Sequence, residues 1–368
     1  MEKRVFIAKC DDYEQEKVNE AIGRVLDAYG GAEAILKNAA AKRPGLDSAA
    51  EKDPPKVLVK PNLLMPRKPD GAVTTHPSVV EAVCKAFIKA GADVSIIDST
   101  GGPHTRFVLG MLYGKTGIKQ AAENSGAKLS YNTKSQKVTY PEGRILEKSE
   151  LLLPVLEADL VISLAKVKTH GFQAMTGAVK NLFGTIPGMD KPLLHRKFPK
   201  REDFAKMLVD ICQKIKPGFC ITDGVIGMEG PGPAGGDPKH LGVIIGGISP
   251  YAADLAQCYL MGLRTDSVYT LAEAKERDLA PIDPLTLDWL GDDYAKLRQV
   301  FKPAKKHKDD NPPKILENCI GCGECKRICP MQCIKMDGKS KMVCIDEKNC
   351  IRCYCCHEFC PAKAISLT

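Results

Sequence analysis

Two cysteine runs near the end of the sequence constrain this chain more than any other feature. They read Cys319-x2-Cys322-x2-Cys325-x3-Cys329-Pro330 and Cys350-x2-Cys353-x2-Cys356-x3-Cys360-Pro361, so the second run repeats the first 31 residues later. This spacing is typical of bacterial iron–sulfur modules, in which three close thiolates wrap one cluster and the fourth binds the other. An internal repeat of this kind predicts a pseudo-twofold module.

The spacing also predicts the ligands of two 4Fe-4S clusters. One cluster is expected to bind Cys319, Cys322, Cys325 and Cys360, and the other Cys350, Cys353, Cys356 and Cys329. Each final cysteine is held at a turn by its proline and points away from its own run. Structural zinc is the alternative, but zinc sites usually use two CxxC pairs. The remaining Cys333, Cys344 and Cys355 are expected to be small buried hydrophobes.

The cysteine content also bears on the cellular compartment. The chain has 16 cysteines, 11 of them between Cys319 and Cys360. Dense cysteine indicates disulfides mainly in small secreted chains. Here a large cysteine-poor part precedes the runs, and Met1–Asp12 lacks the apolar core of a signal peptide. No apolar run approaches the roughly 18 residues of a membrane span. We therefore expect a reducing cytoplasm, anaerobic metabolism and no membrane.

Ahead of the cysteine runs, short apolar stretches alternate with helix-like stretches. The candidate strands are Val5–Ala8, Val57–Val59, Val94–Asp98, Leu160–Ser163, Phe219–Thr222 and Leu241–Ile245. Amphipathic stretches such as Pro77–Ala90 and Phe204–Lys214 lie between them. This alternation predicts an α/β fold with a largely parallel sheet and helices on both faces. We expect this α/β domain over residues 1–301.

A change of composition separates the α/β domain from the cysteine runs. Residues 302–314 are charged and rich in proline, which is typical of a linker. Residues 315–368 are then expected to form a small α+β ferredoxin-like domain with two 4Fe-4S clusters. Met331–Asp346, between the runs, is long enough for a hairpin that turns at Asp337-Gly338.

Cationic and amide side chains follow several of the predicted strands. They are densest in Leu160–Lys191, where a strand is expected to end at Ser163. Loops after parallel strands meet at one edge of the sheet, where open α/β sheets bind ligands. Lysines there bind phosphate or carboxylate groups as point charges. We predict an anion- or substrate-binding site formed by Lys60, Asn62, Lys166, Lys168, His170, Lys180 and Asn181.

Other residues near these strands are candidates for turns, caps or catalysis. Asp98–Gly102 and Asp223–Gly236 are predicted glycine loops, and Thr75 or His76 is placed to cap a helix opened by Pro77. The candidate acids and bases are His170, Asp223 and Glu229, and His76 and His195 are further possible proton donors or metal ligands.

Two common nucleotide motifs are absent from the sequence. Neither a phosphate-binding G-x-x-x-x-G-K-[ST] loop nor a dinucleotide G-x-G-x-x-G fingerprint follows a strand. Their absence argues against ATP hydrolysis and a standard nicotinamide domain. A flavin stays open as a cofactor, without a motif that supports it.

Several of these segments together resemble one known family. They are KPNLL at Lys60–Leu64, TTHP at Thr74–Pro77, KVKTH with MTGAVKNLFGTIPG inside Leu160–Lys191, and DGVIGMEGPGPAGG at Asp223–Gly236. The combination resembles the family called domain of unknown function 362 over roughly residues 55–265. Members often carry a C-terminal ferredoxin domain with two clusters, which the resemblance implies here. It implies no catalytic residue.

Charge and motifs together suggest three functions. The formal net charge of +8 lies outside the cysteine runs once thiolates are counted, which favours an acidic partner or an anionic substrate and does not require nucleic acid. The leading hypothesis is an iron–sulfur oxidoreductase that passes low-potential electrons from two 4Fe-4S clusters to an anionic small molecule or bound cofactor. The alternatives are a non-catalytic electron-transfer or assembly subunit, which docks a redox partner protein, and a metal-cofactor maturation protein.

Overall fold

The protein consists of an α/β body and a small α+β module. A computed structural model describes residues 2–41, 54–304, 312–337 and 343–367. Its strands are β1 (Arg4–Lys9), β2 (Lys56–Pro61), β3 (Asp93–Ile96), β4 (Lys128–Leu129), β5 (Ser135–Thr139), β6 (Lys148–Leu152), β7 (Leu160–His170), β8 (Ala174–Thr176), β9 (Phe219–Glu229), β10 (Asp237–Gly247), β11 (Asp288–Gly291), β12 (Lys314–Ile315), β13 (Ile334–Met336), β14 (Val343–Ile345) and β15 (Ile365–Ser366).

Helices connect most of these strands. They are α1 (Gln15–Asp27), α2 (Gly31–Ala41), α3 (Pro77–Lys89), α4 (Arg106–Lys115), α5 (Ile118–Ser125), α6 (Leu153–Glu157), α7 (Ala178–Asn181), α8 (Asp190–Lys197), α9 (Arg201–Ile215), α10 (Pro250–Leu260), α11 (Tyr269–Glu276), α12 (Tyr294–Leu297), α13 (Glu324–Ile328) and α14 (Cys355–Glu358). Single 3-10 turns lie at Pro69–Gly71, Leu182–Thr185, Thr265–Ser267 and Pro284–Thr286. No helix within the described ranges is long and apolar enough to cross a membrane.

A single large sheet organises the α/β body. Nine of the described strands form it, in the order β11-β1-β10-β9-β7-β2-β3-β4, with β8 paired to β7. The central strands β9, β7, β2 and β3 run parallel, whereas β10 is antiparallel to both β9 and β1. The segment between β9 and β10 is only residues 230–236, too short for the crossover that parallel neighbours need. The predicted α/β fold with a largely parallel sheet is confirmed.

Successive side chains of the central strands enter two different cores. Val57 and Val59 pack with residues of α1 and α3, whereas Leu58 between them packs with residues of α9. Both faces of the sheet are therefore covered by helices, as predicted. Burial on both faces also explains why the strand sequences are almost continuously apolar.

The predicted strands all form, but their ends differ from the prediction. β7 continues from Leu160 to His170 and β9 from Phe219 to Glu229, well beyond Ser163 and Thr222. Both are prolonged because β7 and β9 pair with each other, with Lys166 opposite Asp223. The residues from Lys166 to His170 and from Asp223 to Glu229 were predicted to lie in loops and are strand residues. Conversely, β3 ends at Ile96 rather than Asp98.

The start of α3 follows the sequence prediction. Pro77 is its first residue, and Nδ1 of His76 accepts a hydrogen bond from Ser78 N at 3.2 Å. The cap is therefore His76. Thr75 instead ties two strands together, because its Oγ1 accepts from Asn62 N and donates to Leu164 O, both at 2.9 Å.

One buried carboxylate fixes the turn between β5 and β6 to helix α9. Asp210 accepts hydrogen bonds from the backbone N–H groups of Arg144 and Ile145 at 3.0 Å and of Leu146 at 2.9 Å. Arg277 Nη1 lies 2.6 Å from Asp210 Oδ1. The carboxylate thus satisfies three backbone donors and one guanidinium that would otherwise lack acceptors.

We expect Asp210→Ala to lower the free energy of unfolding by about 3–5 kcal/mol, since it strands a buried cation and several backbone donors. Urea unfolding of both proteins measures the difference. The matched control is Asp203→Ala on the same helix, where the carboxylate pairs with the partly exposed Lys206. A surface pair of this kind contributes less than about 1 kcal/mol. Equal losses in the two variants would contradict the structural role of Asp210.

The C-terminal module is built on the cysteine repeat. β12 pairs with β15 and β13 with β14, both antiparallel, and along the chain α13 follows β12 and α14 precedes β15. The two helices begin after Gly323 and Tyr354, which occupy equivalent positions of the repeat. Both residues have left-handed backbones, with φ of 75° and 62°. The sequence repeat is therefore also a repeat of backbone conformation, and the predicted small α+β region is present.

Both ends of the predicted linker 302–314 are structured. The N–H of Lys302 donates to Glu229 Oε2 at 2.9 Å, and its carbonyl accepts from Gly230 N at 2.8 Å. At the other end, Lys314 begins β12. Residues 305–311 lie outside the described residues, as does Gly338 of the predicted hairpin turn.

Candidate functional site

A cavity lies where the ends of β2 and β7 meet the loop after β3 and the helices α7 and α8. Its volume is about 70 Å³, which leaves room for several water molecules and therefore for a molecule of a few heavy atoms. Four lysine side chains line it: Lys60, Lys168, Lys180 and Lys191. We call it the lysine cavity. It occupies the sheet edge at which the sequence predicts an anion site.

Two of the lysines are held by amide side chains. Lys60 Nζ lies 2.8 Å from Asp98 Oδ1 and donates to Asn181 Oδ1 at 2.8 Å. Lys168 Nζ donates to Asn62 Oδ1 at 2.6 Å and to the carbonyl oxygen of Val73 at 2.7 Å. Asn181 and Asn62 therefore position the cationic groups, and both amides also line the cavity.

Lys191 reaches the same cavity from α8. Its Nζ donates to the carbonyl oxygens of Ser99 and Thr100, the second at 3.0 Å. These carbonyls belong to the loop after β3, which the sequence predicts as a glycine loop. Carbonyl oxygens satisfy the donors of an ammonium group without cancelling its charge, so Lys191 brings positive charge to the cavity when it is protonated.

Burial lowers the pKa of every lysine in this cavity. It moves the pKa of Lys168 well below its usual value, helped by the nearby charges of Lys180 and Lys166, and that of Lys191 to about 7. The pKa values of Lys60 and Lys180 fall for the same reason. A bound anion favours the charged form of each group. The cavity therefore suits a ligand that carries negative charge.

Three polar groups of the lysine cavity lack protein partners. Lys180 Nζ makes no hydrogen bond or ion pair with any residue that the structure describes and lies 5.8 Å from the ring centre of Phe183. Thr176 Oγ1 and His195 Nδ1 are buried without a hydrogen-bond partner in the same part of the chain. Buried polar atoms are rarely unpaired. Two such atoms, together with the unpaired ammonium group of the partly buried Lys180, lie in residues around one cavity and indicate a place for a ligand.

The C-terminal module forms the far wall of the lysine cavity. Ile328, Cys355, Glu358 and Phe359 all line it. The ring of Phe359 lies so close to Gly101 that any side chain at this glycine would collide with it. Behind the wall, His357 Nε2 lies 3.1 Å from the carbonyl oxygen of Pro231. The cavity is therefore shared by the α/β body and the module.

His170 lies beside the lysine cavity rather than in its lining. Its Nδ1 accepts hydrogen bonds from Phe172 N at 2.9 Å and Gln173 N at 3.3 Å, and its Nε2 lies 3.4 Å from Glu358 Oε1. Burial moves the pKa of His170 well below its usual value. The structure thus places His170 at the contact between β7 and the module.

Lys166 belongs to a separate buried cluster. Its Nζ lies 2.8 Å from Asp223 Oδ2 and 2.6 Å from the hydroxyl of Tyr13. That hydroxyl donates to Asp223 Oδ1 at 2.9 Å, and the Tyr13 ring stacks on His76 with centres 3.6 Å apart. None of these side chains lines the lysine cavity. The structure therefore does not bring Lys166 or Asp223 to the other predicted site residues.

Glu229, the third candidate acid, lies at the end of β9. Its Oε2 lies 3.0 Å from Lys239 Nζ and accepts from Lys302 N at 2.9 Å. Burial raises the pKa of Glu229, but the backbone N–H of Lys302 and the side chains of Lys239 and Lys302 outweigh it, so the pKa is lowered. Its contacts anchor the beginning of the linker, away from the lysine cavity.

Two further cavities lie inside the module, each lined by one predicted set of four cysteines. One is lined by Cys319, Cys322, Cys325 and Cys360, and the other by Cys329, Cys350, Cys353 and Cys356. Cys333 also lines the second cavity, with its Sγ 3.4 Å from that of Cys329. The final cysteine of each run thus faces the cavity of the other run. Two sets of four thiols are the donors that two 4Fe-4S clusters take. No three metal-binding side chains of the described residues converge on a point for a single ion.

The cysteines outside these sets differ in environment. A hydrogen bond with Cys355 lowers the pKa of Cys353, and the same bond raises the pKa of Cys355 well above its usual value. Cys355 and Cys333 are buried, as predicted, but Cys344 is exposed. The prediction that Cys344 is buried is wrong because it lies on the outward side of the two-stranded pair β13–β14, whose alternate residues face solvent.

His195, which lines the lysine cavity, makes the stability of the protein depend on pH in the acid range. Its ring stacks on Phe204 with centres 4.2 Å apart, and burial together with Lys180 lowers its pKa from 6.5 to about 3. The unfolded chain therefore binds this proton more readily. The stabilising effect of a neutral His195 is complete above pH 6.5 and is lost as the pH falls.

We expect His195→Phe to reduce the loss of stability between pH 6.5 and 5.5 by about 1 kcal/mol, since the slope reaches about 1.4 kcal/mol for each pH unit only well below pH 6.5. Urea unfolding of both proteins at pH 6.5 and 5.5 measures it, and comparing the two cancels effects common to both, such as loss of bound iron. Phenylalanine fits because the ring already packs among Phe172, Phe183 and Phe204. Parallel pH profiles would show that His195 is not the responsible group.

Sequence reasoning identified the sheet edge but not the whole cavity. It assigned no role to Lys191, although the residue ends the segment identified as densest in polar groups. It also could not find Glu358 and Phe359, because no local pattern signals that a distant module will close the cavity.

Comparisons with known proteins agree with the resemblance in sequence. A model of the family described as Domain of unknown function (DUF362) matches residues 57–259. A thylakoid-associated protein of Synechocystis sp. is 30% identical over 289 residues, which is 76% of this chain and 81% of that protein.

Two solved structures show low similarity. The lactate racemase apoprotein from Thermoanaerobacterium thermosaccharolyticum superposes with a TM-score of 0.41 at 15% identity, over 70% of this chain and 56% of that chain. A Thermotoga maritima protein superposes with a TM-score of 0.33 at 14% identity, over 63% of this chain and 59% of that chain. The chain thus spans less than two thirds of either solved protein.

Proposed function

The chain belongs to the DUF362 family, and we propose that it is an iron–sulfur oxidoreductase that reduces an anionic small molecule in the lysine cavity. One observation carries the proposal. Cys355 and Glu358 line the lysine cavity, while Cys356 between them lines the second four-cysteine cavity. A substrate would therefore lie directly beside the residues proposed to hold a cluster.

The proposal assigns one 4Fe-4S cluster to each four-cysteine set. When bound, such clusters supply electrons singly and at low potential. The volume of the lysine cavity, about 70 Å³, favours a small acceptor over a flavin, because drug-sized and cofactor-sized ligands need clefts of roughly 300–1,000 Å³. We therefore propose two clusters as the only cofactors and a small anion as the electron acceptor.

The lysines supply the electrostatic part of the reaction. Lys168 and Lys191 place positive charge against the bound anion, and charge that is fixed in advance also stabilises the further negative charge that reduction adds. Asn62 and Asn181 hold two of the ammonium groups by hydrogen bonds of 2.6 and 2.8 Å. The amides thereby hold these ammonium groups in position, so the site does not have to rearrange as negative charge develops on the substrate.

Electrons would enter from the other four-cysteine set. Cys322 of that set is exposed, and the neighbouring Ile320 and Leu316 are 65% and 43% exposed. An apolar rim beside exposed thiols suits the docking of a redox partner protein. The same rim would serve a non-catalytic electron-transfer subunit, but such a subunit has no use for the lysine cavity. The free thiols of the chain suit a reducing cytoplasm.

Anaerobically purified protein tests the proposal in two stages. Iron and acid-labile sulfide should each amount to roughly eight atoms per chain, and zinc without sulfide would overturn the assignment of clusters. Dithionite-reduced protein is then mixed with a panel of small carboxylates and phosphates while the visible absorbance of oxidised clusters is followed. An acceptor should reoxidise the wild type at least about tenfold faster than Lys168→Met, which removes a buried charge worth about 1.5–3 kcal/mol. Equal rates would remove the lysine cavity from the proposal.

A further inference from the structure

We propose that Lys180 is a nucleophile that forms an imine with the carbonyl group of a small oxo acid in the lysine cavity. The inference rests on the proposed function, because it names the substrate class of the same site. Its basis is the difference between Lys180 and the three other lysines around the cavity, together with the unpaired groups that face it.

Lys180 is set apart by its lack of acceptors. Lys60 binds Asp98 and Asn181, and Lys168 and Lys191 each donate to two oxygens. Lys180 Nζ has no such partner among the described residues and faces the cavity beside Phe183. A partly buried ammonium group without an acceptor is unfavourable. The geometry therefore favours a neutral amine in the empty cavity.

The surrounding charges have opposing effects on this amine. Burial, the largest cause, lowers the pKa of Lys180, and the charge of Lys60 lowers it further. Glu358 and Cys355 act in the opposite direction. A desolvated lysine next to other cations is the form in which lysine attacks carbonyl carbon.

The other groups of the cavity match the remaining parts of an oxo acid. Lys168 and Lys191 can bind its carboxylate, and Thr176 and His195 line the same cavity with one unpaired polar atom each. In the reaction, Lys180 Nζ bonds to the carbonyl carbon, and both hydrogens of the amine leave with the carbonyl oxygen as water. The step needs neither an oxidant nor a reductant.

Reductive trapping tests this directly. The complete, cluster-containing protein is incubated anaerobically with glyoxylate and cyanoborohydride, which converts an imine into a stable secondary amine, and the labelled lysine is found by peptide mass spectrometry. Lys180 should be labelled at least about tenfold faster than the exposed Lys119 of α5. Acetaldehyde has the carbonyl but no carboxylate, so it should lose most of this preference for Lys180.

Two variants make the test specific. Lys180→Arg supplies a permanent positive charge but cannot form an imine, so fast labelling should disappear, whereas Lys119→Arg should leave it unchanged. Labelling of Lys191 in place of Lys180, or equal labelling of all lysines, would overturn the inference. Trapping requires no electrons from the clusters. A protein that is labelled at Lys180 but reduces no acceptor would contradict only the proposed function, and a Lys180→Arg protein that still reduces its acceptor would contradict only the inference.

Discussion

Replacement of Cys356 by serine is expected to lower the iron content of the protein from about eight atoms per chain to about four. Cys356 is buried and lines one cysteine cavity with Cys329, Cys350 and Cys353. Its loss removes one of the four assigned ligands of this cluster, while the other set of four is unchanged. Cys333 also lines this cavity, and an iron content that stays at about eight atoms would show that Cys333 replaces the lost ligand. The neighbouring cysteine provides a matched control: Cys355 lines the lysine cavity instead, so Cys355→Ser should keep about eight irons.

Iron and sulfide analysis of the two variants distinguishes the ligand assignments. Electron paramagnetic resonance of the reduced proteins adds a second measure, because two neighbouring reduced clusters give a spin-coupled signal and a single cluster does not. Equal losses in both variants would indicate that helix α14 fails to fold. Loss of iron in Cys355→Ser alone would exchange the ligand roles of the two neighbouring residues.

Replacement of Lys180 by alanine is expected to weaken the binding of inorganic phosphate by about ten- to a hundredfold, the usual loss for one buried hydrogen bond to a charged group. Phosphate would favour the ammonium form of Lys180, which has no competing acceptor within the described part of the chain. The visible absorbance of the clusters should not change, because Lys180 lies in the α/β body.

Isothermal titration calorimetry of anaerobic protein with phosphate measures this loss. Lys180→Arg should bind phosphate far better than Lys180→Ala, because the charge is kept, even though it is expected to form no imine. Lys119→Ala, an exposed substitution on α5, should bind like the wild type. Unchanged affinity in Lys180→Ala would show that the lysine cavity is not the phosphate site.

The features predicted from sequence are those with local causes. The cap at His76 and Pro77 depends on neighbouring residues alone, and the grouping of Cys329 and Cys360 with the opposite runs follows from their spacing and their prolines. The alternation of strands and helices likewise reflects the burial of each strand on both faces. Short-range patterns of this kind survive folding because tertiary contacts reinforce them.

The features that were missed depend on distant contacts. β7 and β9 continue past Ser163 and Thr222 because they pair with each other, and no local signal marks where such pairing ends. This extension decides the site, since it places Lys168 at the cavity and directs Lys166 to Asp223 instead. The contact between Gly101 and Phe359 joins the α/β body to the C-terminal module, and neither segment by itself contains a pattern that predicts it.

Helix α14 is four residues long and contributes to two cavities at once, since Cys356 lines the second cysteine cavity and Glu358 lines the lysine cavity. A ligand in the lysine cavity that holds this helix in place would also strengthen the binding of a cluster by the cysteines, and by the same free energy. Such coupling is reciprocal, so under the proposed function loss of iron is expected to weaken the binding of the small molecule. Under the proposed function, a chain without its clusters would therefore bind the substrate weakly and would not compete for it with the complete protein.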